Sequence, residues 1–259
     1  MQFAFTLLTL TGPLALIAAF AVSRFDRGLR PERTHLAAAV AGIVSLVVAI
    51  SGLAGLLLAG PFTWAAGASV LQILSLRLDV LSVTMFLLVS FIGAVVVHYS
   101  RNYLDGDPQQ GRFTGWLCLT LAVVMLLVLA GNLVLLVAAW IGTSLFLHNL
   151  LLHFSQRPGA ARAARKKFIV ARLGDAALLV AVLLLGAGYG TIDIAEILSA
   201  ARDGLMPAGS LWATGFLALA AILKSAQFPT HGWLTEVMET PTPVSALLHA
   251  GVINAGGFL

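Results

Sequence analysis

The sequence has little charge, and it contains a single cysteine. Of its 259 residues only 10% are charged, whereas a soluble domain carries about 25% charged residues. Cys118 stands alone inside an apolar run, which excludes an internal disulfide and a cysteine-ligated cluster. The sequence also has no glycine-rich phosphate loop and no nucleophile elbow. We therefore expect a chain that is not an enzyme and that binds no cofactor and no metal.

Apolar residues fill most of the chain. They make up 59% of it, a share that no water-soluble core explains. A helix that crosses a bilayer needs roughly 20 mostly apolar residues, and runs of that length recur. The pattern predicts an all-α integral membrane protein with about eight transmembrane helices, embedded in a lipid bilayer. The predicted spans are residues 3–22, 35–59, 79–99, 113–130, 133–154, 168–189, 209–237, and an eighth from 244 onward.

Basic residues alternate between the two sides of this layout. Connections 23–34, 100–112 and 155–167 together hold eleven Lys and Arg residues, whereas connections 60–78 and 190–208 hold two. Cytoplasmic loops of membrane proteins are enriched in Lys and Arg. The alternation predicts a multi-pass protein of the cell (inner) membrane with its N-terminus outside. The net charge of +4 then reflects orientation in the membrane, not binding to nucleic acid.

One stretch combines a charge at membrane depth with a helix break. Residues 224–234 read Lys-Ser-Ala-Gln-Phe-Pro-Thr-His-Gly-Trp-Leu. Pro229 has no backbone donor, so we expect the seventh span to break near it, five residues beyond Lys224. A lysine beside freed carbonyls in the bilayer is suited to an ion site. The alternative is a lysine near a helix end that extends its ammonium group to the membrane surface.

These residues also carry a family resemblance. The motif KSAQFPTHGWL, followed by ETPTPVSALLHAG, resembles the signature of antiporter-like membrane subunits. These are the ion-translocating subunits of NADH:quinone oxidoreductase (chain 5 or L), Mrp-type antiporters, and the DabB subunit of inorganic-carbon pumps. The Gln-Phe-Pro and Met-Glu-Thr details resemble DabB most.

The resemblance implies a fold built from two inverted five-helix repeats. It assigns residues 1–112 to the N-terminal transmembrane helices 1–3 and residues 113–259 to the first antiporter-like repeat, helices 4–8. The chain stops about 16 residues into the eighth span, short of a full crossing. We therefore expect a truncated chain with the first of the two inverted repeats only.

The resemblance also implies an ion or proton pathway. Lys224 matches the broken-helix lysine of the family, and His249 matches a histidine that relays protons, for which imidazole is suited by its titration near neutrality. His231 and His148 are further pathway candidates, although a packed histidine with satisfied hydrogen bonds is the alternative for each.

Supporting roles are assigned to five other residues. Arg172 and Asp175 are three apart on a helix and can form an ion pair. Pro229 breaks the seventh span. Glu236 and Glu239 form either a funnel for cations or simply a solvated helix end.

The chain departs from the respiratory pattern on the fifth span. Respiratory members place a glutamate after the tryptophan, as partner of the broken-helix lysine, whereas here Ile141 follows Trp140. Gly131 likewise stands where many members carry Asp. Lys224 is thus expected to lack its usual carboxylate partner, which argues against proton pumping of the respiratory type.

Three functions follow from the resemblance. The first is a proton- or sodium-translocating subunit of an energy-coupled inorganic carbon (CO2 or bicarbonate) uptake complex, with a soluble, zinc-containing DabA-like partner of carbonic-anhydrase type. The second is a pumping subunit of NADH-quinone oxidoreductase or of an Mrp-type Na+/H+ antiporter, with the corresponding partner subunits. The third is a truncated, non-conducting structural remnant. Ile141 favours the first over the second, and the abrupt end favours the third.

The arginine distribution yields a testable orientation. In a variant without Cys118, a cysteine placed at Arg30 or Arg162 should resist an impermeant thiol reagent added to intact cells and react after lysis, because both connections face the cytoplasm. A cysteine at Arg202 should react in intact cells and serves as the control. Labelling at Arg162 from outside would overturn the orientation.

Overall fold

The computed structural model describes residues 2–26, 28–65, 74–237 and 240–259, and helices dominate them. The predicted all-α membrane architecture is confirmed. Five helices are long and apolar enough to cross a membrane, α2 to α6, and two shorter apolar stretches, Leu7–Ser23 and Ser210–Lys224, join them. The helices are α1 (Gln2–Ser23), α2 (Glu32–Ala59), α3 (Val80–Tyr103), α4 (Gln110–Val128), α5 (Leu133–Leu151), α6 (Pro158–Tyr189), α7 (Ile194–Arg202), α8 (Ser210–Lys224), α9 (Gly232–Glu236), α10 (Thr242–Leu247) and α11 (Ala255–Phe258).

Helix α4 lies at the centre of the packing. It packs against α1, α2, α3 and α5, and most of its side chains are buried.

On helix α2, small residues are buried and large apolar residues are exposed. Its buried positions include Ala38, Ala41 and Gly42, whereas Ile43 and Val47 are exposed. Small residues inside let helices approach closely in a membrane, and large apolar residues outside meet lipid.

A short β-hairpin lies between α2 and α3, where the sequence indicated an irregular connection. Strand β1 (Phe62–Ala65) pairs antiparallel with β2 (Ser75–Leu78), so that Phe62 faces Leu78. Residues 66–73, which join the strands, lie outside the described residues. The strands are four residues long, which is too short for an alternating pattern to stand out in the sequence.

The hairpin is part of a connection plate, the set of segments 60–65, 74–78, 129–132 and 190–194, which main-chain hydrogen bonds join to one another. Gly131 N donates to Ser75 O at 2.8 Å, and Ile194 N donates to Gly131 O at 3.0 Å. A Cβ on Gly131 would lie 2.5 Å from Ser75 Oγ, so only glycine fits this contact. This contact explains why Gly131 stands where many members of the family carry Asp.

The connections on the opposite side also meet one another. Arg30 forms an ion pair with Asp105 at 3.2 Å, and His153 Nε2 lies 3.2 Å from Asp107 Oδ2. Connections 23–34, 100–112 and 152–157 thus share one side. The structure brings the basic connections together, as the arginine count predicted, and it joins segments 74–78, 129–132 and 190–194 on the other side.

Two helix bounds differ from the prediction. Connection 155–167 was predicted as a loop, but α6 begins at Pro158, because proline is favoured in the first helical turn, where no donor is needed. The seventh span was predicted to run to a break near Pro229, but α8 ends at Lys224. Ala226 has a φ of 50°, a left-handed conformation that ends the helix before the proline is reached.

The last part of the chain is a segmented helix. Helix α10 continues into a π-helical turn, Leu248–Val252, which is followed by α11. Helix α10 and the π-turn pack against α3. Single π-turns within helices are frequent at functional sites, and this one contains His249.

Candidate functional site

Lys224 is the last residue of α8, and its ammonium group reaches across to α5. Lys224 Nζ donates to Trp140 O at 3.0 Å and to Thr143 Oγ1 at 2.9 Å. It also lies 4.3 Å from the centre of the Trp140 ring, in cation–π geometry. By helix rise Lys224 lies about 21 Å from the start of α8, within a hydrocarbon core of about 30 Å. The ammonium group is therefore satisfied inside the protein rather than at the membrane surface.

The local backbone explains why the lysine sits at a helix end. Ser225 N donates to Ala221 O at 2.9 Å and Gln227 N to Ile222 O at 3.2 Å, so the closing turn satisfies two of the last carbonyls. The C-terminal end of a helix carries partial negative charge, which favours a cation there. The end of the helix and the positive charge therefore coincide at Lys224, whereas the sequence predicted the break five residues later, near Pro229.

The partners of Lys224 are neutral. They are a main-chain carbonyl, a hydroxyl and the face of an indole ring, and no ion pair within the described residues includes this lysine. Thr143 Oγ1 itself donates to Trp140 O at 2.8 Å, which fixes the direction of its hydroxyl. In this chain the turn of α5 between Trp140 and Thr143 supplies the acceptors of Lys224, where the resemblance implied a carboxylate in respiratory members.

A second lysine, which the sequence reasoning missed, lies beside this turn. Lys167 was predicted to belong to a basic loop, but it lies within α6 and is 5% exposed. Its Nζ donates to Ser144 O at 2.6 Å and to Ser144 Oγ at 3.0 Å. A signal was present in the sequence: small residues at 160, 163, 164, 171 and 174 mark a helical stripe that passes through position 167.

Arg172 and Asp175 form the predicted ion pair on α6. Their side chains approach to 2.6 Å, and Asp175 is 5% exposed. A Cβ on Gly174 would lie 3.4 Å from Leu223 Cβ, so α6 and α8 pack closely at this level. The Asp175 carboxylate interacts electrostatically with Arg172, Lys224 and Lys167. One carboxylate therefore stands among three basic side chains.

His148 lies on α5, one turn beyond Ser144. Its ring packs 5.1 Å from the Phe168 ring, and its Nδ1 is buried without a hydrogen-bond partner in the described part of the chain. It interacts electrostatically with Lys167 and Arg172. His153, which follows α5, is a different case: burial lowers the pKa of its imidazole, although the hydrogen bond to Asp107 opposes this. His153 thus joins two connections instead of belonging to the site.

The remaining candidates lie apart from Lys224. His231 is exposed beside Phe228, with ring centres 5.7 Å apart, and His249 is exposed in the π-turn. Asn254 Nδ2 donates to His249 O at 2.9 Å. No hydrogen bond between described residues joins either imidazole to Lys224.

The two acidic candidates are Glu236 and Glu239. Glu236 forms an ion pair with Lys166 at 2.6 Å, which links α9 to α6 near the end of the predicted basic connection. This contact gives Glu236 a structural partner. Glu239 lies outside the described residues. Pro229, preceded by a cis peptide bond, lies in the exposed segment that follows α8.

Comparisons with known proteins identify relatives of this arrangement. The family described as NADH:quinone oxidoreductase/Mrp antiporter, TM, matches residues 130–259, and NADH-Ubiquinone oxidoreductase (complex I), chain 5 N-terminus, matches residues 64–114. A probable inorganic carbon transporter subunit DabB2 of Halothiobacillus neapolitanus is 45% identical over 205 residues, which cover 78% of this chain and 37% of the relative. NADH-quinone oxidoreductase subunit L of Mycobacterium tuberculosis is 40% identical over 203 residues, 76% of this chain and 31% of the relative.

A solved structure is similar as well. The Mrp complex from Dietzia sp. DQ12-45-1b contains a chain with a TM-score of 0.78 and 31% identity, matched over 96% of this chain and 27% of that chain. The chain therefore spans little more than a third of the length of the DabB2 relative and about a quarter of the matched Mrp chain.

A double-mutant cycle measures the contact between Lys224 and α5. Thr143→Val should lower the free energy of unfolding in detergent by about 1–3 kcal/mol, because it removes one of the two oxygen acceptors of a half-buried ammonium group. In a Lys224→Met background the same change should cost much less, since no donor is stranded. The readout is thermal or denaturant unfolding of all four proteins.

Thr120→Val is the matched control for this cycle. Thr120 Oγ1 also donates to a tryptophan carbonyl, Trp116 O, at 2.7 Å, and it is buried. Its effect should add independently to that of Lys224→Met. Additive behaviour of Thr143→Val with Lys224→Met would mean that the contact contributes nothing to stability.

Proposed function

This chain belongs to the NADH:quinone oxidoreductase/Mrp antiporter family of membrane subunits, and we propose that it carries protons or sodium ions for an energy-coupled inorganic-carbon uptake complex. The protein lies in the cell (inner) membrane with its N-terminus outside. Any chemistry on CO2 or bicarbonate takes place in a partner subunit. The likeness to DabB2 and the earlier resemblance of the Gln-Phe-Pro and Met-Glu-Thr details both support this assignment.

The observation that carries the proposal is that the hydrogen-bond partners of Lys224 are neutral. A lysine paired with a buried carboxylate is held in its charged form, because losing the proton would strand the carboxylate. Here the acceptors are Trp140 O and Thr143 Oγ1. A neutral amine keeps two N–H groups and can still donate to both oxygens. The side chain can therefore keep its hydrogen bonds in both the charged and the neutral state, as a proton carrier requires.

The charge on Lys224 acts on its surroundings. Asp175 and Arg172 are the charged groups that interact with it, and both lie on the neighbouring helix α6. When Lys224 loses its proton, the balance around Asp175 changes by one full charge. Buried charges respond strongly to such changes because little water screens them. Proton passage at Lys224 is in this way coupled to the electrostatics of α6.

The expected partner is a soluble, zinc-containing DabA-like subunit with a carbonic-anhydrase-like site, bound at the cytoplasmic face. Ion flow through the membrane subunit supplies the energy, and the partner captures inorganic carbon. The Mrp-like structure favours a second candidate, an antiporter or respiratory pump subunit with the partners of those complexes. The neutral partners of Lys224 favour the first candidate.

Substitutions at Lys224 test proton carriage. In the complete protein within its complex, Lys224→Ala should abolish activity while membrane insertion persists, because removing a buried charge relieves a cost of a few kcal/mol. Lys224→Arg should also abolish it, since guanidinium does not release its proton. The measurements are growth of an uptake-deficient strain at ambient CO2 and ion flux in vesicles, each normalised to protein in the membrane. Full activity of Lys224→Arg would exclude this residue from the path.

Purification under mild conditions tests the partner. An affinity-tagged complete protein should recover a soluble subunit that contains zinc in about equimolar amount, identified by mass spectrometry and metal analysis. Recovery of quinone-reductase or Mrp subunits in its place would favour the second candidate. The Lys224→Ala variant is the control, since it should bind the same partner without supporting growth.

A further inference from the structure

The face of α5 that holds Lys224 also holds a second ammonium group. Trp140, Ser144 and His148 are four residues apart, so they form one row along this face. Trp140 O accepts from Lys224 at 3.0 Å, and Ser144 O accepts from Lys167 at 2.6 Å. Carbonyls four residues apart are separated by about 6 Å along the helix axis. Two lysines from two different helices are thus bound to successive turns of one helix.

Among the described residues, Lys167 forms no ion pair. Its Nζ donates to the carbonyl and the hydroxyl of Ser144, both neutral. The charged groups that act on it are Lys224 on α8 and Arg172 and Asp175 on α6, and His148 on α5 interacts with it in turn. Three of these are basic. Burying an ammonium group whose hydrogen-bond partners are neutral is costly.

A small cavity connects the two lysines. It has a volume of about 20 Å³ and is lined by both ammonium-bearing side chains and by Ser144. A cavity needs roughly 10–15 Å³ to hold one water molecule, so this one has room for a single water and is too small for a bicarbonate ion. The rest of its lining is mainly apolar, with Val170, Leu223 and Trp233 among its residues. The polar side chains that line it are Ser144, the two lysines and Trp233, whose Nε1 is buried without a hydrogen-bond partner in the described residues.

We propose that Lys167 is a second proton-carrying residue, which exchanges a proton with Lys224 through one water molecule in this cavity. The inference rests on the proposed function of Lys224. In the transfer, the Lys167 ammonium gives a proton to the water, and the water gives one of its own protons to the neutral amine of Lys224. The N–H bond at Lys167 breaks, an N–H bond at Lys224 forms, and the water is regenerated. Only one positive charge moves.

Electrostatic repulsion couples the two lysines. Two neighbouring ammonium groups disfavour each other's charged form, so a proton that arrives at one lysine promotes release from the other. Beyond Ser144 the row continues to His148, which lies in a groove of about 310 Å³ that Arg165 and Phe168 also line. His148, which interacts electrostatically with Lys167, is the titratable group at this end of the row.

Proton flux tests the role of Lys167. In vesicles containing the complete complex and a pH-sensitive dye, Lys167→Gln and Lys167→Arg should each reduce flux at least tenfold, because neither side chain can gain and lose a proton there. Arg162→Gln, which removes an exposed charge from the same helix, should keep the wild-type rate. Membrane content of each variant is measured alongside. Wild-type flux in Lys167→Arg would overturn the proposal.

A spectroscopic titration separates this inference from the proposed function. Since the Lys224 ammonium lies 4.3 Å from the Trp140 ring, its protonation should change the emission of that indole, isolated by subtracting the spectrum of Trp140→Phe. Lys167→Gln should shift the midpoint of this titration upward by about one pH unit or more, because a neighbouring positive charge is gone. Lys167→Arg keeps the charge and should leave the midpoint near that of the wild type.

The flux measurement tests the proposed function, and the titration tests the coupling of the two lysines. If the wild-type complex conducts no protons but the midpoint shifts in Lys167→Gln, the proposed function is wrong while the coupling of the two lysines stands. If the midpoint is the same in the wild type and in Lys167→Gln, the lysines are not coupled, and the proposal for Lys167 is wrong whatever the flux.

Discussion

An ammonium group in the interior of a membrane protein must find hydrogen-bond acceptors, and the structure around Lys224 meets this requirement. Unpaired charge in hydrocarbon is expensive, and water is not at hand to solvate it. The acceptors here come from α5, so the end of α8 must lie beside the turn between Trp140 and Thr143. The close packing of α6 on α8 at Gly174 holds that position. The hydrogen bonds of Lys224 and the close contact at Gly174 thus connect α5, α6 and α8.

Neutral acceptors distinguish this site from one built on a buried ion pair. An ion pair gains energy from two charges that stay charged, and breaking it by neutralising one partner is costly. A carbonyl and a hydroxyl accept from an ammonium group or from an amine with little change in geometry. The substitution of Ile141 for a carboxylate is therefore not simply a loss. The main-chain carbonyls of Trp140 and Ser144, on successive turns of α5, accept from Lys224 and Lys167.

The sequence predicted what depends on local pattern and missed what depends on packing. The spans follow from the length of apolar runs, the alternation of sides from the distribution of Lys and Arg, and the Arg172–Asp175 pair from its spacing on a helix. The end of α8 at Lys224 depends on the left-handed conformation of Ala226, which alanine rarely adopts and no pattern announces. The burial of Lys167 depends on which face of α6 meets α5. Composition alone assigned that lysine to the basic connection before α6, because lysine is seldom buried.

The connection plate has a mechanical consequence for the site. Gly131 and Asn132 fix the N-terminal end of α5 within a network of main-chain hydrogen bonds, so a tilt of α5 has its pivot there. Displacement then grows with distance along the helix. By helix rise Trp140 lies about 12 Å and Ser144 about 18 Å from the pivot, so a tilt of about 5° moves them by about 1 Å and 1.5 Å. Hydrogen bonds tolerate less than that. Small angular motions of one anchored helix therefore displace the acceptor of Lys167 more than the acceptor of Lys224.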